Sequence, residues 1–344
     1  MRALVKTQKG TGYLELRDVP RPAAGSGEVL IKVHAAGICG TDLHIMKDEF
    51  PYIPPVVLGH EFAGEVIEVG PNVNNYRPGD RIVAEPHRGG CGECAHCRGG
   101  AVEVCRKKRA IGYKEDGALA EYLMLPARSL HRIPDSLPYD VAALSEPLAC
   151  VVKAVLERTG VRPGDFVVVL GCGPIGLLAA AAAKAEGARD VMITGTSRDE
   201  AVRLPAARAM GIGHVVNVEK ENVTETIAAL TNGAGADLVV EASGAPPAIA
   251  QALDLVAING RIAAIGLTAR DTISFPWNKV IHKAVHLTAS FSSSVTSWDK
   301  AVALLAGGKL NVRPMISHEY PLQDWPKAFA QLENQEAIKI LLNP

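Results

Sequence analysis

Four of the chain's seven cysteines lie in one short stretch, CGECAHCRGGAVEVC, as Cys91, Cys94, Cys97 and Cys105. Two chemistries crowd thiols in this way: a disulfide cluster in a secreted domain, or a metal site in a reducing compartment. An odd cysteine total argues against complete pairing. The opening MRALVKTQKG has neither the apolar run nor the cleavage site of a secretory signal, and no apolar stretch is suited to spanning a bilayer. A soluble cytoplasmic protein is therefore expected, and there disulfides are disfavoured. The spacing C-x2-C-x2-C-x7-C, with turns through Gly92, Gly99 and Gly100, lets one loop wrap four thiolates round one ion. Sulfur in a closed tetrahedral shell suits zinc. An iron–sulfur cluster is the rival. Ferredoxin runs put a proline after a closely following fourth cysteine, whereas here the gap is seven and Arg106 follows. Four thiolates leave no open position, so this ion is expected to be structural and any catalysis lies elsewhere.

A second constellation is mixed. Cys39 stands in GICGTDLH, His60 and Glu61 in GHEFAG, and Glu146 in LSEPLAC. Thiolate, imidazole and carboxylate make the kind of shell that keeps a position for water or substrate. Singly, each has a plainer role: His60 as a hydrogen-bonded structural histidine, Glu146 as a helix-start carboxylate before Pro147. Cys150 and Cys172 read as small core or turn residues. A third motif is VVVLGCGPIG, a buried strand followed by G-x-G-x-x-G at Gly171, Gly173 and Gly176 and then a helix, with Pro174 and Ile175 inside the turn. The first glycine permits the tight turn, the second lets a pyrophosphate approach the backbone, and the third lets the helix pack on the sheet. The motif is weak alone and strong in this strand–turn–helix setting. The plainer alternative is a tight turn with no ligand.

These residues need elements to hold them. The chain has 344 residues, 48% hydrophobic and 21% charged, with a formal net charge of −1. That length supports two domains, and the charge points neither to nucleic acid nor to an acidic tail. Residues 1–35 alternate as strands, and EFAGEVIEVG and DRIVAEP continue the pattern, so the first part reads as β-rich. From about residue 150 strands alternate with helices, which means βαβ units and a parallel sheet. The final segment, from about 291, is expected to return to the first domain.

CGTDLH, GHEFAGEV, the four-cysteine lobe, DGALAEY, EPLAC, the glycine turn and RIAAIGL occur together along the whole chain. In this combination the chain resembles the zinc-dependent medium-chain alcohol dehydrogenases, in the polyol (sorbitol-type) and threonine dehydrogenase branch. The resemblance implies an α/β fold in which a Rossmann doubly wound parallel sheet, residues 149–290, is inserted in a β-rich GroES-like catalytic domain, residues 1–148 and 291–344. It implies a structural zinc lobe near 88–106, a catalytic zinc at the cleft, and so two zinc ions per chain. By motif match, Cys39, His60 and Glu61 are metal-site residues. Glu146 fills a position where the polyol branch carries a glutamate, and ligand exchange between Glu61 and Glu146 stays open. Thr41 and His44 match a hydroxyl–imidazole proton relay, and Asp42 is expected to orient His60 through its free ring nitrogen. Ile265, Gly266 and Leu267 are further implied cofactor contacts. The implied reaction is hydride transfer between a secondary alcohol and nicotinamide, with zinc as Lewis acid. The implied assembly is a homotetramer, with no nucleic-acid or membrane partner.

Substrate and cofactor form are less constrained. A small neutral polyol or other secondary alcohol is expected, with Ser292 to Ser294 either hydroxyl partners or a plain loop, and His87 near the site. The alternatives are L-threonine 3-dehydrogenase-like activity and a non-catalytic dinucleotide-binding protein; relatives of the latter kind lack both cysteine-bearing constellations. The acidic residue that reads ribose in NAD-dependent relatives falls on Gly195, 24 residues after Gly171 (195 − 171 = 24). Thr196, Ser197 and Arg198 follow and suit a 2′-phosphate. The plainer reading makes Ser197 a helix cap, and Asp199 or Glu200 reaches a ribose if the loop folds back. NADP is expected over NAD, and Gly195→Asp is expected to reverse the preference.

Overall fold

The first part of the chain lays down β1 (Arg2–Lys6), β2 (Leu14–Asp18), β3 (Glu28–Gly37), α1 (Gly40–Met46), β4 (Val56–Val57), β5 (Glu61–Val69) and β6 (Arg81–Ala84). It continues through α2 (Ala95–Arg98), β7 (Tyr122–Pro126), β8 (Leu130–Arg132), α3 (Tyr139–Ala142) and α4 (Ser145–Val151). Then follow β9 (Phe166–Leu170), α5 (Pro174–Ala185), β10 (Asp190–Gly195), α6 (Arg203–Ala209), β11 (His214–Asn217) and α7 (Val223–Leu230). After these come β12 (Ala236–Glu241), α8 (Pro246–Leu255), β13 (Val256–Ala264), α9 (Trp277–His282) and β14 (His286–Ala289). The chain ends with α10 (Val295–Ala306), β15 (Ile316–Pro321), α11 (Trp325–Glu333) and β16 (Lys339–Asn343). This computed structural model describes residues 1–344, which divide into two units. One comprises Met1–Glu146, Ser293–Gly307 and Ile316–Pro344; the other comprises Pro147–Ser292 and Gly308–Met315.

The first unit is built on a seven-stranded sheet in the order β15-β16-β3-β5-β6-β8, with β7 also pairing β3, beside a smaller sheet β2-β1-β4. Its central strands β3, β5 and β16 are buried over runs of consecutive residues and pack on a core containing Ile31, Phe62, Val66, Leu125, Phe329 and Leu342. Register matters more than order here. Gly37 at the end of β3 pairs with Glu61 on β5 and with Leu341 on β16. Strands from the two ends of the chain therefore meet in the interior of the sheet, where Gly37 stands between β5 and β16.

The second unit is a six-stranded parallel sheet, β11-β10-β9-β12-β13-β14. Chain order reverses between β9 and β12, which is where doubly wound sheets open a ligand crevice at the strands' carboxyl ends. β9 is the continuous apolar run FVVVL, buried throughout, as a central parallel strand must be. Gly171 follows with φ +99°, a conformation L side chains rarely adopt. A Cβ on Gly176 would strike the Gly171 carbonyl oxygen, while one on Gly173 would meet nothing within 4 Å. The last glycine lets α5 seat on the sheet, and the middle one leaves open space above the turn.

Candidate metal centres and dinucleotide groove

The cysteine lobe brings its four thiols together. Sγ–Sγ separations are 3.9 Å for Cys91–Cys97, 3.9 Å for Cys94–Cys105 and 3.7 Å for Cys91–Cys105. A disulfide would bring two sulfurs to about 2.05 Å. Thiolates about 2.3 Å from a central zinc, at tetrahedral corners, stand about 3.8 Å apart. The residues therefore fit zinc and no covalent bridge. The Cys94 N–H points at Cys91 Sγ and the Cys97 N–H at Cys94 Sγ, both at 3.4 Å. Led by the Cys94 amide, such backbone donors hold the Cys91 thiol down at about 6. A Cβ on Gly90 would lie 2.7 Å from Cys97 Sγ, so glycine is needed for the fourfold approach.

The mixed constellation assembles from three segments. Cys39 caps the N-terminus of α1 just beyond β3, His60 immediately precedes β5, and Glu61 opens it. One ligand atom from each lies within 4.8 Å of the others. His60 and Glu61 are buried, and His60 Nδ1 has no hydrogen-bond partner. A thiol, an imidazole and a carboxylate converging within 4.8 Å, two of the three residues buried, fit a cation site. Burial opposes charge on His60, but Cys39, Asp42 and Glu146 together raise its pKa well above the ordinary value.

Asp42 differs from expectation. It is wholly buried, and its carboxylate accepts the backbone N–H of Cys39 (2.9 Å) and of Gly59 (3.1 Å), not the His60 ring. It thus fixes the main chain at one ligand and next to another. Glu146, in the first turn of α4, is buried beside this group without joining the three-residue cluster. Burial raises its pKa, as does Glu61, while His60 and Lys339 lower it.

The other expected residues scatter. Thr41 Oγ1 lies 3.7 Å from Cys39 Sγ. His44 is exposed, with Nδ1 2.8 Å from Glu49 Oε2. His87 is buried, with Nε2 3.2 Å from Glu85 and Nδ1 accepting the Gly89 N–H, so both ring nitrogens have partners within the chain. Ser293 Oγ accepts from Trp298 Nε1 at 3.0 Å, and Ser294 caps α10 through the Ser297 N–H. Both hydroxyls thus have partners within the chain. Ser292 adopts φ +60°.

In the second unit a groove of 560 Å³ opens along the glycine turn and the end of β10, lined by Gly171, Gly173, Gly195, Thr196, Asp199 and Arg203 among others. Its size suits a small-molecule ligand. Pro174 starts α5 and Ile175 and Gly176 follow it. Ile265 and Gly266 donate their N–H groups to the Glu241 carbonyl, and Leu267 is exposed; these three lie outside that groove. So do Ser197 and Arg198, which are exposed, the Ser197 N–H bonding Glu219 at 3.0 Å. The cap of the following turn is Thr196, not Ser197. The loop folds back so that Asp199 Oδ2 accepts the Thr196 N–H (2.9 Å) and hydroxyl (3.0 Å), while Oδ1 faces Arg203 Nη1 at 3.1 Å. Glu200 turns away to Asn217 and Lys220.

Sequence reasoning missed Lys339, Gly37 and Arg203. Lys339 had a visible signal: a lone cation inside the apolar strand AIKILL. It is 2% exposed, with Nζ 2.6 Å from Glu61 Oε2 and 3.0 Å from the Ile38 carbonyl.

Comparison with known proteins agrees with this layout. Residues 25–135 match the family of alcohol dehydrogenase GroES-like domains, and residues 174–307 the zinc-binding dehydrogenase family. A sorbitol dehydrogenase of Halalkalibacterium halodurans is 41% identical over 344 residues, covering 100% of this chain and 99% of its own. An L-threonine 3-dehydrogenase of Escherichia coli K12 is 39% identical over 348 residues, with 100% and 99% covered. Among solved structures, a zinc-binding dehydrogenase from Sinorhizobium meliloti 1021 bound to NADP superposes with a TM-score of 0.91 at 31% identity, covering 100% of this chain and 99% of that one.

Proposed function

The chain belongs to the zinc-dependent medium-chain alcohol dehydrogenases, and on that premise we propose that it oxidises a small polyol or other secondary alcohol, passing a hydride to a nicotinamide dinucleotide. The observation that carries this reading is the convergence of Cys39, His60 and Glu61, one ligand atom from each within 4.8 Å of the others, with His60 and Glu61 buried. Cys39, His60 and Glu61 would hold the catalytic zinc, with Glu146 close by as an alternative carboxylate. Bound there, zinc supplies Lewis acidity that lowers the pKa of a substrate hydroxyl. Asp42 keeps the ligand backbone in place. Thr41, beside the Cys39 sulfur, would take the substrate's proton while giving up its own towards exposed His44, which would pass a proton to water. The four-cysteine lobe would hold the second zinc, closed to substrate. Cys39→Ser should leave a folded protein that has lost one of two zinc ions and turns over at least about a hundredfold more slowly. Undiminished turnover would remove Cys39 from the site. A panel of polyols, diols, simple alcohols and L-threonine identifies the substrate, and a best rate with L-threonine would select the threonine dehydrogenase reading instead.

NADP is the favoured form. Gly195 presents no carboxylate of its own, and the carboxylate that reaches this end of the groove, Asp199, is offset by Arg203 and by its bonds to Thr196. Arg203, which lines the groove, would supply the cation expected of Arg198. A guanidinium at the wall of the groove suits a 2′-phosphate. The substitution that sequence alone recommends is a poor test, because a Cβ at Gly195 would lie 2.6 Å from Cys172 Sγ and 2.8 Å from Leu204 Cδ2. Arg203→Ala is the better one. It should lower kcat/KM for NADP about tenfold or more with little change for NAD. A wild-type enzyme that prefers NAD tenfold would reject the assignment.

A cytoplasmic homotetramer completes the reading. No helix is long and apolar enough to cross a membrane. Strand β14 ends the parallel sheet with Leu287 exposed, and Trp277 and Ile281 on α9 are exposed too. An open apolar edge of this kind suits pairing with a second copy. Sedimentation of Leu287→Glu should show smaller species than wild type; an unchanged assembly would clear this edge of the role.

A further inference from the structure

Lys339 and Glu61 form an ion pair sealed inside the first unit, with side chains 3% and 2% exposed. Two features aim the carboxylate. Gly37 faces it across the β3–β5 pair, and a Cβ there would lie 2.5 Å from Glu61 Oε2. Lys339 holds the same oxygen at 2.6 Å and is itself anchored by the Ile38 carbonyl at 3.0 Å, one residue before Cys39. The lysine is thus tied to the backbone beside one metal-site residue and to the side chain of another. An ion pair this deep contributes little net stability against an apolar replacement, so stability alone does not account for its presence beside the cluster.

We propose that Lys339 is a positioning residue of the catalytic metal centre: by gripping Glu61 Oε2 it restrains that carboxylate to a weak, yielding contact with the metal, so that a coordination position stays available to substrate. The proposal rests on the reading of Cys39, His60 and Glu61 as the metal-site residues. Its physical core is competition. A carboxylate shared with a buried ammonium is a poorer donor than a free one, and a positive charge beside the site opposes the cation. Remove the ammonium, and Glu61 is left buried with the metal as its remaining partner.

The test uses Lys339→Met, near in length and uncharged, in the full-length enzyme loaded with zinc or with cobalt(II) at the catalytic site. The variant should resist chelator extraction of its catalytic zinc at least about tenfold more than wild type. Its cobalt(II) visible spectrum should shift, and KM for the alcohol should rise more than kcat falls. Adding Glu61→Gln should cancel the gain in zinc retention, making the double variant behave like Glu61→Gln alone. A lysine with a merely structural role would lower thermal stability but leave zinc retention and the cobalt spectrum at wild-type values, and that result overturns the proposal. Should Lys339→Met fail to fold, Lys339→Gln carries the same readouts. Wild-type enzyme with zinc only at the cysteine lobe would instead sink the metal-centre reading on which the proposal stands.

Discussion

At the scale of single residues, the Cys39–His60–Glu61 cluster depends on atoms that are missing as much as on those present. Gly37 has an ordinary φ, so its need for glycine is one of space. Alanine there would press on Glu61 Oε2 at 2.5 Å and Glu61 Cβ at 3.3 Å, with the carboxylate pinned by Lys339. We expect Gly37→Ala to cost roughly 1–3 kcal/mol of stability through overpacking and, more tellingly, to lower zinc content towards one ion per chain. Metal analysis of the purified variant checks this, and full retention of both ions would show that Glu61 can move aside. Asp165 and Arg261 pose a different case. Arg261 Nη2 meets both Asp165 oxygens at 2.7 Å, and both side chains are under a tenth exposed. Asp165→Asn should destabilise by about 3–5 kcal/mol, because it strands a buried guanidinium. Urea unfolding measures it, and a loss below about 1 kcal/mol would mean the cation finds water or other acceptors.

At the scale of elements, α10 is tied to the sheet of its own unit by a histidine between two acids. His131 on β8 stacks on Trp298 at 5.5 Å, places Nδ1 2.9 Å from Asp299 on α10, and sets Nε2 3.7 Å from Glu85 just beyond β6. Burial alone would lower the His131 pKa, but Glu85 and Asp299 override it and raise the pKa above 6.5. Burial would likewise raise Glu85, yet His131 and His87 hold it down at about 2. The two shifts have opposite consequences. The His131 contribution is complete below its unfolded value of 6.5 and is lost as pH climbs through the raised folded value. The Glu85 contribution is complete above 4.5 and is lost as pH falls towards about 2. The clamp is therefore strongest between those unfolded values. His131→Gln should flatten the alkaline decline in unfolding free energy by on the order of 1 kcal/mol, since Asp299 is largely exposed. Identical pH profiles for variant and wild type would show that the histidine titrates without load.

At the scale of the whole molecule, ligands should report on the fold. NADP at about a hundredfold its Kd should stabilise the protein by about 2.7 kcal/mol. Calorimetry should show that rise, and its absence would deny the groove its ligand. How much of this was legible beforehand depends on distance along the chain. The four-cysteine lobe, the glycine turn and the Cys39 segment are local patterns, whose chemistry follows from spacing within one loop or one strand–helix unit. The alternation of strands and helices after residue 150 likewise announced a parallel sheet, because period and punctuation are local. What the sequence could not disclose was register. Glu61 and Lys339 are 278 residues apart, and only the pairing of β5, β3 and β16 sets them 2.6 Å from each other. The same holds for Asp42, whose partners proved to be backbone amides, and for Asp199, carried back beside Gly195 by a turn capped at Thr196. Residue types and spacing determined which chemistry the chain carries. Tertiary structure decided which charge faces which, because side-chain partners are set by strand register and loop closure, and those are settled by burial of the core as a whole.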